Sequence, residues 1–254
     1  MNTDQLLEMV GFAGKLLIES GAEIYRVEET MVRLCTCFHE VDDAESFVTP
    51  TGIMFSVTVA KKTVTKVLRV RSKGTDLHCI DRINDLSRRA TTHAYSIDDI
   101  MAELQEIAKE PRYGFSVTLL FGALSAFGFA LFFHGSYREA IISFVIGMVI
   151  KIVSFIFEKR EWNAFFTNAL SSGIAAVCAL GAHELFPIVD TDIVIISSIM
   201  LLVPGLAITN AVRDTMAGDY LSGVSRATEA FLIAIALAAG IGFVLSMTMK
   251  MKGA

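Results

Sequence analysis

The chain has 254 residues, 53% of them hydrophobic, and a mean hydropathy of +0.55, too apolar for an ordinary soluble domain. Its formal net charge of -5 gives no support to a nucleic-acid partner. Residues 1–112 hold 14 of the 22 Lys+Arg and 18 of the 27 Asp+Glu, so a boundary falls near Pro111 between two parts that face different solvents.

In the first part, Leu6, Val10, Ala13 and Leu17 form an apolar helix stripe, broken by Glu8, Lys15 and Glu19. No secretory signal is read there, and this part is expected in the cytoplasm. After Gly21 comes a second stripe, Ile24, Val27, Met31, Leu34 and Phe38, with Glu23, Arg26, Glu29 and Arg33 off it. Thr49-Pro50-Thr51-Gly52 reads as a turn into a strand in which Phe55, Val57 and Val59 alternate with Ser56 and Thr58. Lys61-Lys62 fits a turn, residues 63–71 a second strand, and Ser72-Lys73-Gly74 a break. Two helices follow, over 76–89 and after Ser96, whose hydroxyl and following acids mark an N-cap. Pro111 ends the second. Cys35, Cys37, His39, His78 and Cys79 do not match the usual zinc spacings, so reduced thiols and no metal are expected.

The second part, residues 113–254, has five apolar runs, 114–133, 140–157, 164–182, 193–212 and 230–249. Each approaches the length that crosses about 30 Å of hydrocarbon as a helix. Lys151 is the only Lys or Arg inside them. An intramembrane lysine is a functional candidate, and plain snorkelling to the headgroups is the other reading. Lys159, Arg160, Arg213 and Arg226 make the even-numbered loops the basic ones, while Lys250 and Lys252 disagree. The internal loops place the N-terminus inside and the C-terminus outside. Ser172/Ala176, Ala236/Gly240 and Ala238/Gly242 carry small residues four apart, suited to close helix packing.

"LLVPGLAITNAVRDTMAGDY" interrupts the fourth run. Pro204 has no N–H and Gly205 lets the chain bend. The amides of Leu206 to Ile208, with Thr209 and Asn210, then offer donors for a carboxylate, and Lys151 a positive charge. A packing kink is the alternative. Arg213 and Asp214, with Gly218 and Asp219 beyond, are expected near the cytoplasmic mouth as a wet gate or register pair, worth about 0–1 kcal/mol.

The block "LLVPGLAITNAVRDTMAGDYLSGVSRATEA" resembles the signature of the threonine/serine exporter family of bacterial membrane proteins. "GAEIYRVEETMVRL" and "TPTGIMFSV" resemble its cytosolic domain. The five runs and the patterned first part predict an α-helical polytopic membrane protein of five transmembrane helices with a small N-terminal α+β cytosolic domain, and the resemblance implies about ten spans in full-length members, of which this chain has the first half. It implies the long subunit of a split exporter, completed by a second four- to five-span chain in the bacterial inner membrane. Threonine/serine-type amino acids are the first substrate class and succinate-type dicarboxylates the second. The family's soluble-domain motif falls on Gly21, Glu23, Arg26, Thr49, Pro50, Thr51 and Gly52. The family's soluble domain has been suggested to carry a hydrolase-like motif, which the resemblance maps onto Thr49, Pro50, Thr51 and Gly52. No base stands beside a nucleophile there, so no enzyme and no cofactor are predicted. A membrane-anchored hydrolase or sensor is the reading from another class. No nucleotide-binding loop is visible, which leaves a proton or substrate gradient as the drive.

The topology has a direct check. Cysteines introduced at Lys159 and Glu184 should react with impermeant reagents from opposite sides of the membrane. Labelling of both from one side would remove it.

Overall fold

The computed structural model describes residues 2–71, 74–110, 113–160, 162–251 and 253. Its elements are α1 (Thr3–Glu19), α2 (Ile24–Thr36), β1 (Val41–Thr49), β2 (Gly52–Val59), β3 (Lys62–Arg69), α3 (Leu77–Thr92), α4 (Ile97–Lys109), α5 (Phe115–Phe132), α6 (Tyr137–Glu158), α7 (Ala164–Leu185), α8 (Thr191–Ile199), α9 (Gly205–Ala217) and α10 (Tyr220–Met251). Contacts divide the chain into two units. One joins Met1–Glu110 to Leu206–Thr228; the other joins Pro111–Gly205 to Glu229–Ala254.

The first unit is a helix pair, an antiparallel sheet of order β1-β2-β3, a second helix pair, and the α9 segment. Both predicted stripes face inward. Leu6, Val10, Ala13 and Leu17 are buried, as are Ile24, Val27, Met31 and Leu34, while Phe38 lies beyond the end of α2. On β2, Ile53, Phe55 and Val57 join this core. On the other face Ser56 pairs with Thr65 at 2.8 Å and Thr58 with Thr63 at 2.9 Å, cross-strand partners that fix the register. The β2–β3 turn is Ala60-Lys61, both at positive φ, one residue earlier than expected. Asp76 caps α3, and Ser96 with Asp99 forms a capping box on α4. The predicted breaks at Ser72-Lys73 and Pro111, and the tail charge of Lys252, lie outside the described residues. β1 was not expected. Its sequence, VDDAESFVT, is acidic and poor in strand formers, and its pairing with β2 outweighs that local preference.

Gly21 closes α1 in the left-handed region, at φ +86. Its N–H donates to the Ile18 carbonyl and that of Ala22 to Leu17, the Schellman pattern. A Cβ here would also meet the Gly74 carbonyl oxygen at 2.9 Å.

The second unit reverses the solvent logic. Phe121, Phe132, Val177 and Phe243 point outward, and the interior is built from Ala123, Ala126, Ala175, Ala176, Ala179 and Ala236. Small residues let backbones meet. A Cβ on Gly240 would fall 2.0 Å from the Ala169 carbonyl oxygen, and Ser172 Oγ donates to Leu237 O at 3.1 Å. The Ala236/Gly240 row thus packs as expected. Gly242 has nothing within 4 Å, so the Ala238/Gly242 row does not. At the other end, Glu139 accepts from the backbone N–H of Ser136 at 2.8 Å and of Asp190 at 3.2 Å.

Among the described residues, four helices are long and apolar enough to cross a membrane: Phe115–Phe132, Tyr137–Glu158, Ala164–Leu185 and Tyr220–Met251. The expected fourth run, 193–212, is not one helix. α8 ends at Ile199, α9 begins at Gly205, and neither reaches the 18 residues of a candidate span. Pro204 has no N–H to continue the ladder, and its ring excludes the preceding turn from helix.

Gly21→Ala must hold an L side chain in the left-handed region and meet the Gly74 carbonyl. It should lower stability by about 1–2 kcal/mol, read by thermal unfolding of the solubilised chain. An unchanged midpoint would show that the turn relaxes freely.

Candidate functional site

The residues that end α1 and begin α2 leave a row of polar groups that their own helices do not fully satisfy. Each is met by a side chain from about 190 residues away. Asn210 Nδ2 donates to Gly21 O at 2.9 Å. Arg226 Nη2 donates to Ala22 O at 2.7 Å. The Glu23 carboxylate accepts from Arg26 Nε at 2.9 Å and from Arg213 Nη1. The backbone N–H of Ile24, first residue of α2, donates to Asp214 Oδ1 at 3.1 Å. Glu23 does not cap α2 with its own side chain, so Asp214 does so from α9, placing a carboxylate at the positive helix end.

Asp214 is fully buried. Its Oδ2 lies 3.0 Å from Arg226 Nε, close enough for an ion pair but not aligned as a hydrogen bond. Burial raises its pKa, against the pull of the Ile24 amide and Arg226. Glu23 goes the other way. Burial alone would raise it, but its own backbone N–H, Arg26 and Arg213 hold it below the usual range. Glu28, further along α2, accepts from Val48 N at 2.8 Å. Burial raises its pKa against that bond, and the charges of Asp219 and Asp214 add to the rise.

Two groups of predicted residues therefore meet: Gly21, Glu23 and Arg26 from the soluble-domain motif, and Asn210, Arg213 and Asp214 from the late block. The expected wet Arg213–Asp214 pair is not formed. Neighbours on a helix point about 100° apart, so Arg213 reaches Glu23 and Asp214 turns inward to Arg226. Gly218, at φ +97, ends α9 by the same pattern as Gly21, with Asp219 N donating to Asp214 O at 2.8 Å. Thr49, Pro50, Thr51 and Gly52 form the β1–β2 hairpin end, where Thr49 Oγ1 donates to Gly52 O at 3.2 Å. Pro204 and Gly205 belong to the second unit, and Thr209 and Asn210 to the first. α9 starts at Gly205, so the amides of Leu206 to Ile208 stand in its first turn as expected. Lys151 lies in the second unit, its stem over Gly122.

Arg226 and Glu28 were not foreseen as site residues. Arg226 had counted only as loop charge, though an arginine at the head of a long apolar helix signals a buried partner. Glu28 carries no local signal. Cys35 and Cys79 are core residues, and burial pushes the Cys35 thiol up to about 12, with Cys37 adding to it.

The family model described as "Putative threonine/serine exporter" matches residues 8–248. Among curated relatives, a "Probable threonine/serine exporter" of Mycobacterium tuberculosis is 21% identical over 95% of this chain and 46% of its own length. A "Probable succinate transporter subunit" of Klebsiella aerogenes is 24% identical over 92% of this chain and 89% of its own. A "Threonine/serine exporter" of Corynebacterium glutamicum is 25% identical over 75% and 40%. The chain thus spans less than half of the two exporters and nearly all of the subunit. No solved structure matches it.

Removing one partner of the buried pair leaves a lone charge, so Asp214→Ala or Arg226→Ala should cost about 3–5 kcal/mol. Arg213→Ala, at a half-exposed pair, should cost about 0–1 kcal/mol. Asp214→Asn keeps the Ile24 acceptor and should fall between. A raised aspartate binds its proton more tightly in the folded state. The stability difference between wild type and Asp214→Asn should therefore shift against wild type as pH rises from the ordinary aspartate value to the raised one. Thermal unfolding of the full chain across pH reads both. Equal costs at Arg213 and Arg226 would refute the buried pair.

Proposed function

The chain belongs to the threonine/serine exporter family, and on that premise we propose that it is one subunit of a bacterial inner-membrane exporter of small hydrophilic metabolites, threonine- and serine-type amino acids first. The observation that carries the reading is the number of helices able to cross a membrane. A membrane-anchored hydrolase or sensor needs one as an anchor, and among the described residues this chain has four. A dicarboxylate such as succinate is the second reading, favoured by the near full-length match to the Klebsiella subunit.

A second membrane chain of four to five spans completes the transporter in this reading. The length of the Mycobacterium relative, about twice this match, supports it. In this reading residues 1–112 lie in the cytoplasm, and the broken segment over 193–212, interrupted at Pro204, makes the fifth crossing. Pro204, Gly205, Thr209, Asn210 and Lys151 belong to the translocation path. Arg213, Asp214, Gly218 and Asp219 form the cytoplasmic gate, with Asp214 acting from a buried place.

Efflux of labelled threonine, serine or succinate from cells should require both chains. Replacing Pro204 and Gly205 together by Ala should leave membrane insertion intact and abolish efflux. Full-rate export by the purified chain alone in liposomes would remove the two-chain reading. Normal efflux by the double variant would remove the break from the path.

A further inference from the structure

On the membrane unit an open cavity of about 520 Å³, its rim exposed at Tyr113, Val117 and Phe121, is lined also by Thr118, Gly122, Ser125, Lys151 and Leu201. That volume is within the range of about 300–1,000 Å³ usual for small-molecule sites. Lys151 is its only charged lining residue among the described residues. A Cβ on Gly122 would lie 2.7 Å from Lys151 Cε and 2.8 Å from Cγ, so the missing side chain makes the groove that holds the lysine stem. The stem is packed on protein and does not run free along the helix surface. An ionisable side chain in an apolar segment is a functional-site candidate.

Thr118, Gly122 and Ser125 share one face of α5, four and three residues apart. Ser125 Oγ donates to Phe121 O at 2.8 Å, and Thr118 Oγ1 to Gly114 O at 3.3 Å. With their protons turned back to the helix, both oxygens offer lone pairs to the cavity. They stand seven residues apart, about 10.5 Å, so one ligand group meets only one of them. Helical side chains lean toward the N-terminus of their own helix. α6 runs antiparallel to α5, since Gly147 meets Ala126 and Ala123 while Lys151 meets Gly122. That tendency favours Ser125 over Thr118 as the lysine's counterpart, and the Ser125 hydrogen bond is also the shorter.

We propose that this cavity binds the head of an α-amino acid, with the carboxylate on Lys151 Nζ and the ammonium on Ser125 Oγ. The proposal rests on the exporter reading for its biological sense, but binding tests it independently. A free carboxylate is drawn to the single cation, and an ammonium to an oxygen whose proton is already committed. A dicarboxylate brings a second negative group to those same lone pairs, where no described lining residue offers a second cation.

The test uses the full chain in detergent, with ligand-induced thermal shift as the binding readout, and efflux from cells as a separate one. Threonine should bind better than succinate. Threonine methyl ester, without the carboxylate charge, and 3-hydroxybutyrate, without the ammonium, should both bind weakly. Lys151→Gln should weaken threonine by about 10- to 100-fold, the usual strength of a hydrogen bond to a charged group. Lys151→Arg should keep part of the affinity. Gly122→Ala, which keeps the charge but displaces the stem, should also weaken it. Ser125→Ala should weaken threonine and leave 3-hydroxybutyrate unchanged. Threonine affinity untouched in Lys151→Gln, or succinate bound better than threonine, would overturn the site while efflux could still uphold the exporter. Binding as described without efflux would uphold the site and refute the exporter. Absence of both would refute the two together.

Discussion

Four consecutive residues, Gly21 to Ile24, end one helix and start the next, and the polar groups of such a corner cannot all be satisfied from within. Two carbonyls, one carboxylate and one amide are satisfied instead by Asn210, Arg226, Arg213 and Asp214. An unpaired buried group of this kind costs about 1–3 kcal/mol, and more if charged. The first unit is therefore incomplete without residues 206–228, however far they lie along the chain. The pairing is also reciprocal. Asp214 is buried as a charge because it faces the α2 N-terminus and Arg226; without that corner it would be the costliest group in its helix.

The membrane unit obeys a different constraint. With apolar side chains turned outward, burial of hydrocarbon does little to hold helices together, and close backbone approach takes over. Gly240 against Ala169 and the Ser172 bond to Leu237 show how near two helices come. Buried hydroxyls without a hydrogen-bond partner at Ser143, Ser171 and Ser198 are groups that a purely packed interior avoids.

Periodicity made most of the first unit legible, because the two stripes, the β2 alternation and the Ser96 cap are signals carried by neighbours in the chain. β1 was hidden because its acidic sequence says little by itself, and only Ile53 to Val59 across the ladder makes it a strand. The candidate site was half legible. Gly21, Glu23, Arg213 and Asp214 were singled out in two blocks, and nothing in either block says that they touch. Spacing along one helix suggested a local Arg213–Asp214 pair. Helical geometry denies it, and the partners lie where no local rule looks. Glu28 illustrates the same limit: its raised carboxyl comes from burial and from Asp219 and Asp214, all consequences of tertiary packing.

Pro204 takes on a plain physical meaning from the same accounting. The contact boundary falls just after it, between Gly205 and Leu206. A continuous helix through this point would carry one rotational phase from Ile193 to Ala217. Buried positions before the break, Val194, Ser197 and Ser198, serve one core; those after it, Asn210, Ala211 and Asp214, serve another. One straight helix would have to satisfy both with a single set of angles. A proline ends the first helix and a new start at Gly205 frees the second to choose its own phase, so that Asn210 and Asp214, four apart, both face the Gly21–Ile24 corner. With the break at Pro204, the phase that α9 presents to the polar corner is set independently of α8.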